Sequence, residues 1–249
     1  MKLKELESGK SLSILDQDVH LASRLLFSAE ASYGDIEDKR ILDLGCGCAV
    51  LSIGAVMLGA SSVLAVDVDT SALSIARENI EKMEMEDEIE LLQAVIGSLA
   101  KPTASAERAK ERKEREREDA MRDEDGELVE VEKEEEEEDK IEVPVFDPKS
   151  LGREFDTVVM NPPFGTWNQG IDMVFLEVAC QIAETAVYSL HKTSTREFIL
   201  KKAKSLGFEG EVVAEMKYAL PKTMAFHKSK SVDIQVDFWR FVRVQPKIS

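Results

Sequence analysis

Residues 40–50 read RILDLGCGCAV, a short apolar run that ends on two closely spaced glycines and resumes as LSIGAVMLG (51–59). A strand that turns this tightly into a helix sets the helix's first unpaired N–H groups at the strand's carboxyl end. Glycine at 45 and 47 permits the turn and lets a ligand approach the backbone. The same alternation recurs along the chain. SVLAVDV (62–68) reads as a second strand, and Asp69 or Thr70 can cap the following helix, in which Leu73, Ala76, Ile80 and Met83 share one face. IELLQAV (89–95) and FDTVVM (155–160) read as the third and fourth strands. DMVFLEVACQIAETA (172–186) has amphipathic helical spacing and leads into VYSL (187–190). A helix over STREFILKKAKSLG and strands over EVVAEMKY (211–218) and SVDIQVDFWRF (231–241) bring the strand count to seven.

Strands that alternate with helices need crossover connections, so most of the sheet must be parallel and covered on both faces. The last two strands have no helix between them and are expected to pair antiparallel at one edge. The expected fold is thus α/β: a Rossmann-like, seven-stranded, mostly parallel sheet with helices on both faces and an antiparallel edge strand. Its 249 residues suit a single domain, 1–249.

One block stands outside this pattern. Residues 101–140 hold 18 acidic against 10 basic side chains and no apolar periodicity. They define a charged, low-complexity insertion over about 100–145, expected to be solvated and disordered or transiently helical. The net charge of −17 argues at first against a polyanionic partner, but residues 187–249 carry 12 basic against 6 acidic side chains. That asymmetry is compatible with RNA held on one face. Cys46 and Cys48 form C-x-C with no second Cys/His pair nearby, so no four-ligand zinc site and no metal are expected. Reduced thiols, no apolar core in MKLKELESGKS, and a longest apolar run (49–60) too short to span a bilayer all fit a soluble intracellular protein without a membrane partner.

Three features carry chemistry. The glycine turn at Gly45 and Gly47 falls at a strand's carboxyl end, where ligands collect in such sheets. Asp67 ends the second strand, 20 residues after Gly47, where a carboxylate can accept from both hydroxyls of a ribose. Asp43 precedes the glycines and can organise the loop. DxGxG without a third phosphate-cradling glycine favours a cofactor lacking a pyrophosphate, S-adenosylmethionine over NAD. The third feature is Asn161-Pro162-Pro163-Phe164, after the fourth strand and on the same rim. An amide oxygen and a backbone carbonyl can accept both N–H bonds of an exocyclic amine and turn its lone pair toward a methyl donor. Pro162 and Pro163 fix the backbone and remove competing donors, and Phe164 offers a stacking face for a base taken out of its stack. This motif alone does not separate adenine, guanine and protein-glutamine amines.

With these motifs in view, the chain resembles the Rossmann-like methyltransferases of the (N/D)PP(F/Y/W) group. Within it, the chain is similar to the eukaryotic methyltransferase-like family that makes N6-methyladenosine in small-subunit (18S) rRNA. The stretches carrying this resemblance are MKLKELE (1–7), HLASRLLFSAEASYGDI (20–36), DLGCGCAVLSIG (43–54), VVMNPPFGT (158–166), AVYSLHKTSTRE (186–197) and FHKSKSVDIQVDFWRF (226–241). It implies S-adenosylmethionine contacts at Gln17, Gly45, Cys48, Val50, Asp67, Val95 and Ile96. It places His191, Lys192, Phe226, His227 and Lys228 on the RNA-facing side. It also implies a heterodimer with a small zinc-binding activator protein, in the nucleus, nucleolus and cytoplasm, with no DNA partner. Three departures stand out. LDQDVH replaces the family's EQYPT segment, Val95 stands where an acid should meet the cofactor's adenine amine, and Ala49 replaces a usual glycine. The other readings are protein-glutamine N5 methylation and an RNA- and protein-binding scaffold with weak cofactor affinity.

Overall fold

The computed structural model describes residues 12–97, 143–147, 154–163, 170–221 and 231–244. In chain order these form α1 (Leu12–Tyr33), β1 (Arg40–Leu44), α2 (Val50–Met57), β2 (Ser62–Asp67), α3 (Thr70–Met83), β3 (Ile89–Gln93) and β4 (Phe155–Met160). There follow α4 (Ile171–Ile182), β5 (Ala183–Lys192), a 3-10 turn (Thr193–Thr195), α5 (Arg196–Ser205), β6 (Phe208–Pro221) and β7 (Ser231–Arg243). The expected insertion lies outside the described residues, apart from a short stretch at 143–147.

The seven described strands lie in the order β3-β2-β1-β4-β5-β7-β6. Neighbours among β1 to β5 are parallel. β7 is antiparallel to both β5 and β6. The antiparallel pair therefore sits at one edge, as its missing crossover helix required, and the reversed strand is β7, one in from the margin. Because strand side chains alternate, the sheet has two apolar faces. Leu42, Leu64, Val158 and Val187 pack against α4 and α5 through Leu176, Ala179, Ile199 and Ala203. Ile41, Val63, Ala65 and Val159 pack against Leu25 and Ala29 of α1, Ile53 of α2 and Ala76 and Ile80 of α3. Burial on both sides explains why these strands read as unbroken apolar runs.

One boundary differs from the periodicity. The helical spacing over 172–186 runs on past the observed end of α4, since Ala183 is already extended at φ −64, ψ 126. Ala183 pairs with Phe155 and Ala186 with Thr157 across an irregularity in the ladder. Sheet pairing here overrides the helix preference of Ala and Glu.

A buried polar network locks the inner end of the sheet. Asp35 Oδ2 accepts from Tyr188 Oη at 2.7 Å and from Arg240 Nε at 2.9 Å. Thr157 Oγ1 donates to the Asp35 carbonyl at 2.8 Å. Arg240 also lies over the Tyr33 ring, 4.1 Å from its centroid. Tyr188 and Arg240 are cross-strand partners, so the network joins α1, β4, β5 and β7. Burial, then the Asp35 carboxylate, pushes the Tyr188 phenol above its ordinary range, which keeps it a neutral donor. Removing one member leaves a buried charge without its partner. Asp35→Ala is expected to lower unfolding free energy by roughly 3–5 kcal/mol, measured by urea denaturation.

Candidate active site

Leu44 pairs with Val66 on one side and Met160 on the other. Asp67 pairs with Gln93, and Met160 with Ser189. The parallel register therefore brings Gly45, Asp67, Gln93 and Asn161 to the same carboxyl rim. The glycine turn leaves the sheet here with positive φ at Gly45 (74°) and Gly47 (54°). A Cβ on Gly45 would stand 2.9 Å from the Phe175 ring, whereas one on Gly47 would meet nothing within 4 Å. The first glycine is required by packing and the second leaves open space at the rim.

Asp67 is fixed from two directions. Its Oδ2 accepts from the Gly47 N–H at 2.8 Å and its Oδ1 from the Asp69 N–H at 3.0 Å. Each oxygen keeps a second lone pair for a ligand hydroxyl. Capping of α3 falls to Asp69, whose Oδ1 accepts from Ser71 N–H at 2.8 Å. Asp67 is thereby free of that duty.

Asp43 is fully buried. Its Oδ2 accepts from Ser52 Oγ at 2.7 Å, tying β1 to α2, while its Oδ1 has no hydrogen-bond donor. Burial pushes the carboxyl up to about 7 against the pull of the Ser52 bond. Burial also pushes the Cys46 thiol up, which leaves it a neutral packed group.

Asn161 emerges exposed at the end of β4, with Pro162 buried and Pro163 exposed. Asn161 lines a cavity of about 200 Å³ together with Gly45, Gly47, Cys48 and Val50. The apolar wall of that cavity comes from Leu21 and Leu25 of α1, Tyr188 and Leu190 of β5 and Phe238 of β7. Tyr188 and Phe238 stack with ring centroids 5.4 Å apart. These wall residues carry no sequence signature. They read as ordinary core until the register puts them beside Asn161.

Several expected contacts change. Val95 donates its N–H to the Pro144 carbonyl and accepts from the Phe146 N–H, both at 2.8 Å. Only its half-buried side chain is left for a ligand. Ile96 is turned into the core beside Phe146 and offers no ligand surface. His191 does not face RNA: it is fully buried. Its Nε2 lies 2.9 Å from Ser189 Oγ, and its Nδ1 lies 3.4 Å from Asp172 Oδ2. Lys192 is partly exposed. Gln17 lies on α1 with its side chain outside the described set, and Phe164, Phe226, His227 and Lys228 lie outside the described residues. Ala49, which replaces the family's usual glycine, sits buried in the left-handed region at φ 66, ψ 28 as the cap of α2.

The rim suits S-adenosylmethionine. The space at Gly47 admits a ligand against the backbone, and Asp67 can accept from ribose hydroxyls. Among the described residues no cluster of three metal-ligating side chains occurs, and no helix is long and apolar enough to cross a membrane. Fold and rim together define a Rossmann-like methyltransferase that uses S-adenosylmethionine.

Comparison with known proteins sharpens the class. Residues 25–106 match the model of the ribosomal protein L11 methyltransferase (PrmA) family. Over 97% of its length the chain is 40% identical to rRNA N(6)-adenosine-methyltransferase METTL5 of Danio rerio, covering 99% of that protein. It is 38% identical to Mettl5 of Drosophila melanogaster over 89% of this chain and 82% of the relative. A candidate RNA methyltransferase of Pyrococcus horikoshii superposes with a TM-score of 0.61 at 29% identity, covering 90% of this chain and 84% of that one. The chain belongs to the METTL5 family of rRNA N(6)-adenosine-methyltransferases.

Two predictions follow from the loop. Asp43 titrates near 4 when unfolded and near 7 when folded, so the native state binds the extra proton and the Asp43 contribution to stability falls as pH rises from 4 to 7. Asp43→Asn removes that slope: the stability of the variant relative to the parent should rise across this window in urea titrations at fixed ionic strength. Ala49→Gly relieves left-handed strain at a cap position. It should raise unfolding free energy by about 0.5–1 kcal/mol, seen as a thermal midpoint higher by roughly 1–4 °C.

Proposed function

We propose that this chain transfers a methyl group to the exocyclic N6 amine of an adenosine in small-subunit (18S) rRNA. The observation that carries this reading is Asn161, which stands on the rim with Gly45 and Asp67 and lines the cavity that the glycine turn opens onto. Family membership supports adenine as the target, since the relatives in Danio rerio and Drosophila melanogaster bear that activity in their names.

Bound S-adenosylmethionine supplies an electrophilic methyl on a sulfonium. The Gly45–Gly47 turn and Asp67 hold the nucleoside end. Asn161 Oδ1 and the Pro162 carbonyl accept the two N–H bonds of the adenine amine, which draws the nitrogen lone pair out of the ring plane. Pro162 and Pro163 lack N–H groups and leave these acceptors uncontested. Phe164 stacks on the extruded base. Transfer would break the S–CH3 bond and release the thioether S-adenosylhomocysteine, and the cationic amine so formed would lose its proton to water, so no side-chain base is required. RNA approaches over Lys192, Phe226, His227 and Lys228.

The proposed partner is a small zinc-binding activator protein that adds a strand to the sheet, whose edge strands are β3 and β6. The complex would work in the nucleus, nucleolus and cytoplasm.

The test is transfer by the purified complex onto an rRNA hairpin and, in parallel, onto a Gly-Gly-Gln peptide. RNA methylation at an adenine is expected; transfer to the peptide alone would sink the reading. Failure to bind S-adenosylmethionine would favour a scaffold, the outcome to which Val95 in place of an acid points. Asn161→Ala is expected to abolish transfer while changing cofactor Kd by only a few-fold, because its amide meets the substrate amine and not the cofactor.

A further inference from the structure

His191 has no access to solvent, yet it sits among more polar groups than its burial requires. Ser189, two residues back on the same face of β5, holds Nε2 at 2.9 Å. Asp172, in the first turn of α4, stands 3.4 Å from Nδ1. That second contact lies outside hydrogen-bond geometry and is a close polar approach. The His191 side chain is nonetheless the main influence holding the Asp172 carboxyl below its usual range. Across the strand pair His191 faces Asp237, which is itself gripped by Arg196 through Nε and Nη2 at 2.8 Å and by Thr193 Oγ1 at 2.7 Å. Phe241 closes the edge-on side, 6.4 Å between ring centroids. A Ser–His–Asp order suggests a nucleophile, but Ser189 is fully buried and neither it nor His191 lines the cavity beside Asn161. The set is built to hold, not to attack.

What it holds follows from the ladder. Met160, the last residue of β4, pairs with Ser189, and His191 stands two residues further along β5. Asp172 lies two residues after Gly170, the left-handed cap where the chain re-enters helix after Asn161-Pro162-Pro163. His191 therefore stands just past the point where β5 flanks the end of β4, and its ring lies beside the first turn of α4. Asn161 and the cavity lie on the α1 face of the sheet, and the Ser189–His191–Asp172 chain lies on the α4 face.

We propose that His191 is a positioning residue for methyl transfer, fixing Asn161 and the Pro162 carbonyl by pairing with Asp172 at the start of α4. The role rests on the assignment of Asn161 as the amine-holding residue. Because transfer depends on acceptors placed to a fraction of an ångström, loosening one anchor is expected to lower kcat about 10- to 100-fold, with KM for RNA changed less and cofactor Kd within about threefold.

The experiment uses the full chain with its activator and three variants: His191→Gln, Asp172→Asn and the double substitution. Asp172→Asn keeps shape and is partly exposed, so it tests the pair even if His191→Gln folds poorly. Each variant is assayed for kcat and KM, thermal midpoint, cofactor affinity and hydrogen–deuterium exchange of the peptide spanning 158–175. Expected are faster exchange confined to that peptide, a fall in kcat, and a double variant no slower than its slower parent. Unchanged exchange in Asp172→Asn overturns the proposal whether or not RNA is methylated. So does a double variant whose losses multiply, or a uniform loss of thermal stability with kcat per folded molecule intact. If the parent complex transfers nothing to RNA, the activity reading fails, while the exchange data still decide whether the pair anchors the segment.

Discussion

Leu44 is held in register by Val66 on one side and Met160 on the other, and the site depends on that double pairing. A slip of one residue in a parallel ladder would turn every side chain to the opposite face. It would put the glycine turn out of line with Asp67 and move Asn161 to the wrong side of the sheet. Register is secured because the side chains of each face are packed against the helices that cover it, so any shift breaks that packing on both sides at once. The catalytic rim is in this sense a by-product of core packing. Residues such as Leu42, Leu64 and Val158, which do not line the cavity, fix where Asn161 can be.

The rim is preorganised by backbone donors more than by side chains. Asp67 is oriented by two N–H groups, one from the loop it faces and one from the entry to α3. The N–H groups of Gly45 and Cys46 both donate to the Val66 carbonyl, at 2.8 and 3.0 Å, and bind the turn to β2. Asp43 works from below: its buried bond to Ser52 joins strand to helix, and the cost of burial appears as a carboxyl that resists ionisation. Carboxylates at two depths thus divide the labour, Asp67 half-buried at the end of β2 and Asp43 bracing the loop from below. Their burial separates the roles more clearly than their spacing in the sequence does.

Much of this was legible beforehand for physical reasons. Buried parallel strands leave continuous apolar runs, and turns at strand ends need glycine, so β1, β2 and β4 and the residues at their ends could be placed without coordinates. Asp69 was readable as a cap from its place before the apolar helical period, and it does cap α3. What the sequence did not carry was burial of the polar residues near the site. His191 lies in a stretch rich in hydroxyls and charges and looks like surface. It is covered by β7, inserted beside β5, and by the first turn of α4, and the β5–β7 pairing joins residues more than forty positions apart. The end of α4 was misread for a related reason: Ala183 to Ala186 favour helix locally, and their strand state comes from Phe155, Thr157 and Val242. Ala49 needed coordinates too, because composition does not reveal the sign of φ.

The departures from the family pattern fall unevenly on the two halves of the reaction. Ala49 strains the turn into α2, and Val95 brings no acceptor to the end of β3, where its own backbone is already committed to residues 144 and 146. In the proposed reading, Val95 bears on how the cofactor is held. On the proposed substrate side Asn161 and Pro162 follow β4, and the stacked Tyr188–Phe238 pair lines the adjoining cavity. A chain altered in this way should bind S-adenosylmethionine more weakly than a relative with the acid in place while orienting an amine equally well. The physical signature of such an imbalance is a raised KM for the cofactor with kcat little changed, since interactions made equally in ground and transition states alter binding and not the chemical step. Restoring the acid by Val95→Asp tests the converse, and a gain confined to cofactor affinity would assign the deficit to β3 and not to the rim around Asn161.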